Sequence, residues 1–114
     1  MTESVIYHNP RCTTSRKALE LLRDNGIEPD VIQYLRTPPS RAELVKLIDD
    51  AGIDVRTAVR KRESLYAELN LDDADDDALL AAMVTHPILI ERPFVITPRG
   101  TRLARPLDSV REIL

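Results

Sequence analysis

Cys12 is the only cysteine in a chain of 114 residues. It stands in the run His8-Asn9-Pro10-Arg11-Cys12-Thr13-Thr14-Ser15-Arg16. A cysteine reacts as its thiolate, which forms where positive charge or unpaired N–H groups face the sulfur. Both are on offer here. A helical pattern opens at Thr13 or Thr14, so the sulfur sits at a helix start, where free N–H groups and the macrodipole favour negative charge. Arg11 and Arg16 flank it. The alternative is a buried cysteine serving as a small hydrophobe. Helix start and arginines together favour the reactive reading.

Spacing around the thiol narrows the chemistry. Cys12-Thr13-Thr14-Ser15 is a C-x-x-S run with Ser15 where a dithiol oxidoreductase has its resolving cysteine. Cys12 can therefore start thiol exchange but cannot close a disulfide within the chain, and an outside thiol has to finish. A phosphatase-type loop needs five residues between its cysteine and its arginine. Here that sixth position is Ala18, and Arg16 comes two residues too early. An oxyanion would then be held by arginines from elsewhere, whose planar forks suit it.

The elements that must position this loop follow in order. Val5-Ile6-Tyr7 reads as a buried strand, and Ala18, Leu21 and Leu22 mark a helix stopped by Asn25-Gly26. Val31–Leu35 reads as a second strand, making a parallel βαβ unit. Ser40-Arg41-Ala42-Glu43 is a capping box, followed by the stripe Leu44, Leu47, Ile48 and Ala51. Residues 54–85 read as a helical insertion: 55–60, 64–69 and 75–84, with Asp72, Asp73 and Asp75–Asp77 capping rather than binding metal. Strands at 94–97 and 101–104, joined by Pro98-Arg99-Gly100, and a last helix bearing Leu107, Val110, Ile113 and Leu114 complete the pattern. The expectation is one α/β domain over 1–114, a four-stranded mixed sheet flanked by helices.

Bulk properties exclude several classes. With 43% hydrophobic and 31% charged residues, the composition is that of a soluble globular protein. One cysteine excludes a disulfide-stapled design, and with two distant histidines it argues against a structural zinc site. The start lacks a leader's basic and apolar regions, and no run is long enough to span a membrane. A cytoplasmic, monomeric protein is expected. A net charge of −3 argues against nucleic acid as a partner.

Further stretches add specificity: Tyr34-Leu35 with Thr37-Pro38-Pro39, Val59-Arg60-Lys61, His86–Ile90 with Arg92-Pro93, and Gly100–Leu103 with Arg105-Pro106. With Tyr7–Pro10, Cys12 and Thr14–Arg16, and in this order, they resemble the glutaredoxin-coupled arsenate reductases of the ArsC/Spx group of thioredoxin-like proteins. The resemblance implies a thioredoxin-like fold with Pro93 as its cis proline. It implies Cys12 as the nucleophile toward arsenate, and Arg60, Arg92 and Arg105 as the oxyanion ligands. Glutathione would act as co-substrate, glutaredoxin as the partner that finishes the reduction, and no cofactor would stay bound. His8 would influence thiolate formation, with Ser15 and Arg16 shaping the thiol loop. Thr13 departs from the smaller residue that better-known members carry beside the thiol. Two other classes compete. One is an Spx-like regulator binding RNA polymerase, which usually needs a C-x-x-C switch. The other is a general monothiol oxidoreductase.

Overall fold

β1 (Val5–His8) buries Ile6 and His8 and leaves Val5 and Tyr7 half-buried, the two-residue alternation of a strand. A computed structural model describes residues 4–114. Met1–Glu3, part of the stretch read for a leader, lie outside the described residues. After β1 come α1 (Thr13–Asp24) and β2 (Asp30–Gln33), which pairs in parallel with β1, Ile6 opposite Val31. The βαβ unit is as read, except that β2 stops at Gln33. Its carbonyl accepts the N–H groups of both Arg36 and Thr37 at 2.9 Å, a turn that takes Tyr34 and Leu35 out of the ladder.

β3 (Phe94–Thr97) runs antiparallel to β1, and β4 (Gly100–Leu103) antiparallel to β3. The four-stranded mixed sheet has the order β2-β1-β3-β4. The hairpin is tighter than expected. Thr97 pairs with Gly100, so the link is Pro98-Arg99 and the glycine opens the strand. Gly100 has φ +147, and a Cβ there would meet Ile113 Cγ2 at 3.1 Å; glycine answers both constraints.

The last helix is a 3-10 helix, Leu107–Ile113. Leu107, Val110 and Ile113 recur every third residue, which is the period of that helix rather than of an α-helix. Val110 and Ile113 join Ile6, Ala18, Leu22, Val95 and Ala104 in one buried cluster. Ile6 and Val95 lie opposite each other in the sheet, so this cluster packs α1 and the 3-10 helix onto one sheet face.

The chain divides into two compact units, one running up to Thr37 and resuming at Arg92–Leu114, the other Pro38–Glu91. The second unit is helical. In α2 (Arg41–Asp50), Ser40 Oγ accepts Glu43 N–H at 3.1 Å while Glu43 Oε1 accepts Ser40 N–H at 3.0 Å, the capping box expected. Leu44, Leu47 and Ile48 bury one stripe of α2, with Leu79, Leu80 and Met83 buried on α5 (Asp76–Thr85). Asp75 caps α5 by accepting Ala78 N–H at 2.9 Å. Between them lie α3 (Val55–Ala58) and α4 (Ser64–Glu68). The helix expected over 55–60 ends at Ala58, because Val59 pairs with Ile90 in an isolated bridge. Arg60 N–H donates to Leu89 O and Glu91 N–H to Ala58 O, both at 2.7 Å. Among the described residues no helix is long and apolar enough to cross a membrane.

Candidate active site

The thiol loop is built from its own backbone bonds. Asn9, buried at the end of β1, accepts Cys12 N–H on its carbonyl and Arg11 N–H on its side-chain oxygen, both at 3.0 Å. Cys12 is the N-cap residue of α1, in extended conformation, and its carbonyl accepts Arg16 N–H at 3.0 Å. An N-cap serine or aspartate would turn its oxygen inward onto the helix N–H groups. The Cys12 side chain makes no such bond and stays half-exposed at the mouth of the helix. The first-turn N–H groups therefore keep their positive end toward whatever sits by the sulfur.

Ser15 and Arg16 brace this loop from behind and in front. Fully buried, Ser15 accepts Asn9 N–H on Oγ at 3.0 Å and bonds His8 Nδ1 at 2.6 Å. Arg16 donates to Pro10 O at 2.9 Å and Thr13 Oγ1 at 3.3 Å. Its guanidinium thus spans the loop that carries the sulfur, a structural role the flanking position alone did not reveal.

His8 reaches the thiol only through that loop, since its ring bonds Ser15 rather than Cys12. Burial holds the imidazole below its usual range, with the Arg23 and Arg16 charges adding in the same direction. A neutral ring near pH 7 follows. Ser15 Oγ already accepts from Asn9, so we assign its O–H as donor to Nδ1, which puts the ring proton on Nε2.

One arginine reaches the loop from the end of β4, and it holds the backbone of a second, Arg92, which precedes β3. Arg105 follows β4 and Ala104. Its Nη2 donates to Cys12 Sγ at 3.6 Å and its Nε to Arg92 O at 3.0 Å. The Arg92–Pro93 and Arg105–Pro106 peptide bonds are both cis. Pro93 is the cis proline expected; Pro106 was not foreseen. Pro93 O accepts Ala104 N–H at 2.9 Å, so the two cis-proline segments are stitched together beside the thiol. Arg92 itself is only 5% exposed. A buried guanidinium is costly unless something negative or hydrogen-bonding faces it.

Arg60 belongs to the helical unit. On the extended segment after α3, it donates from Nε to Glu63 Oε1 at 3.0 Å and from Nη1 to Glu91 Oε1 at 3.2 Å. Burial works against its charge, but the bonds and fields of Glu91 and Glu63 more than offset this and raise its affinity for the proton. Lys17 was passed over in the sequence. It lines a cavity with Thr14 and Arg105, and the spacing of Thr14 and Lys17, one helical turn apart, was its only signal.

The first unit thus holds one thiol at a helix mouth, an arginine on the sulfur, and a cis proline opening the antiparallel strand next to it. That combination of sheet order, thiol position and cis proline defines a thioredoxin-like protein of the one-thiol kind. A family model for the ArsC family matches residues 7–113, and the chain belongs to that family. It is similar to the arsenate reductase of Escherichia coli strain K12, at 56% identity over all of this chain and 82% of the relative. It is also similar to YfgD of the same strain, whose name carries no activity, at 47% identity over all of this chain and 99% of the relative. Among solved structures, the arsenate reductase from Vibrio cholerae aligns with a TM-score of 0.92 at 52% identity, covering 97% of each chain.

Proposed function

We propose that this chain is an arsenate reductase that uses glutathione and glutaredoxin. The observation that carries the reading is the Arg105 guanidinium 3.6 Å from the sulfur of the protein's single cysteine. A thiolate attacking a dianion meets a like charge, and guanidinium groups around the oxygens offset that repulsion while holding arsenic near the sulfur. The names of the relatives support the same substrate.

In this reading the Cys12 thiolate bonds to arsenic, and one arsenate hydroxyl takes a proton from solvent and leaves as water. Glutathione then adds to the arsenic, its proton departing with a second oxygen as water. The two sulfurs join, the arsenic keeps the electron pair and falls from the pentavalent to the trivalent state, and water returns to it as arsenite leaves. Cys12 remains as a mixed disulfide with glutathione. Glutaredoxin removes the glutathionyl group and restores the thiol. Arg105 and Arg92 are oxyanion ligands in this account, and Arg60 is the third that the family resemblance implies. Pro93 and Arg16 set the loop and strand between which the anion sits. A free thiol with no partner suits a reducing compartment, and we place the protein in the cytoplasm, acting as a monomer.

The test is turnover by purified protein supplied with arsenate, glutathione and glutaredoxin. Wild type is expected to form arsenite continuously and Cys12→Ser to form none. Wild-type protein without arsenate-dependent turnover would overturn the reading.

A further inference from the structure

The cavity beside Arg105 contains a cation for which the reaction above has no use. It has a volume of about 270 Å³ and is lined by Thr14, Lys17, Ala104, Arg105, Pro106 and Leu107, all in the unit that holds Cys12. Arg105 connects it to the thiol, since this lining residue also reaches Cys12 Sγ with its guanidinium at 3.6 Å. Lys17 stands exposed on α1. Its side chain makes no hydrogen bond or ion pair to any described residue. It lies about 7.5 Å along the helix axis from Cys12, five residues at 1.5 Å each. Thr14, one turn before Lys17, adds a hydroxyl on the same helix face. No lining residue is acidic, and Pro106, Leu107 and Ala104 give an apolar wall.

Two cations, a hydroxyl and an apolar wall next to a nucleophile suit a small molecule that is anionic at one end. An oxyanion held at the sulfur engages Arg105 and leaves Lys17 unused. We propose that this cavity seats the carboxylate of the external thiol, with Lys17 as the residue that selects thiols bearing one. The inference rests on the one-thiol reading of Cys12. A low-molecular-weight thiol whose carboxylate lies a few bonds from its sulfur can reach Lys17 while its sulfur reaches the group on Cys12. The carboxylate stays intact throughout. It orients the sulfur for the bond-forming step and raises the local concentration of the thiol.

The test separates this seat from arsenate chemistry. Cys12 is first converted to its neutral methyl disulfide with methyl methanethiosulfonate. Loss of the methylthio group to glutathione or to uncharged 2-mercaptoethanol is then followed by mass spectrometry, with no arsenate present. Lys17→Ala is expected to slow glutathione by about three- to fivefold, the size of a solvent-exposed ion pair, and to leave 2-mercaptoethanol unchanged. Lys17→Glu slows glutathione further, Lys17→Arg restores it, and added salt erases the wild-type advantage. Slowing of both thiols alike, or of neither, by Lys17→Ala overturns the proposal. Absence of arsenate turnover alongside a selective Lys17 effect would sink the reductase reading and leave the seat standing.

Discussion

Arg105 does two jobs at once, holding Arg92 O with Nε and reaching Cys12 Sγ with Nη2. Removing a charge-assisted contact of this kind costs about 1.5–3 kcal/mol, tenfold or more in rate. Arg105→Ala is therefore expected to lower kcat/KM for arsenate by at least about tenfold. Arg105→Lys, lacking the fork, is expected to recover little of it. Steady-state kinetics with glutathione and glutaredoxin in excess checks both. His8 gives a pH prediction. Its native-state proton affinity is lowered, mainly by burial. Above the unfolded value of about 6.5 both states are neutral and the histidine is silent; below it the unfolded chain takes a proton the native ring resists. Stability then falls with pH until the native ring also protonates. His8→Gln is expected to flatten the decline in urea midpoint between about pH 7 and pH 5 relative to wild type. An equal decline in both proteins would assign it to other groups. His8 bonds Ser15, which in turn accepts Asn9 N–H, and position in the sequence could not distinguish this from a direct contact with the thiol.

At the scale of elements, local signals were legible and long-range ones were not. The Ser40 capping box, the Gly26 stop and the thiol at the mouth of α1 follow from residues within a few positions of each other. Each was readable. The end of α3 was not, since Val59 leaves the helix to pair with Ile90, a partner 31 positions away. Arg60 was accordingly expected on a helix and stands on an extended segment, gripped by Glu63 and Glu91. The period-three stripe Leu107, Val110, Ile113 was visible in the sequence, but Leu114, four residues after Val110, suits an α-helix as well, so the stripe alone did not separate the two helix types. The capping box offers the element-scale prediction. Ser40→Ala removes the acceptor of Glu43 N–H. It is expected to cost about 1 kcal/mol, lowering Tm by roughly 4 °C, with kcat unaffected. Calorimetry checks the first part and turnover the second.

For the whole molecule, a single cysteine sets the logic of the proposed cycle. A protein with a resolving thiol can oxidise itself, whereas Cys12 must accept a sulfur from outside. The candidate site was half legible for the same reason. Counting cysteines showed the need for an external thiol, and spacing excluded the phosphatase loop. The contact between Cys12 and Arg105 spans 93 positions and the cavity beside it has no sequence signature. Family resemblance named that arginine before any geometry could. Lys17, outside the resemblance, was missed altogether.

The most direct measurement of this logic omits glutaredoxin. Wild-type protein is mixed with arsenate and glutathione, and arsenite and protein mass are followed together through the first turnover. The account predicts a burst of about one arsenite per chain, matched by glutathione attached to Cys12, with neither seen when arsenate is withheld. Glutathione attaching equally well without arsenate, or arsenite failing to appear in the burst, would contradict it.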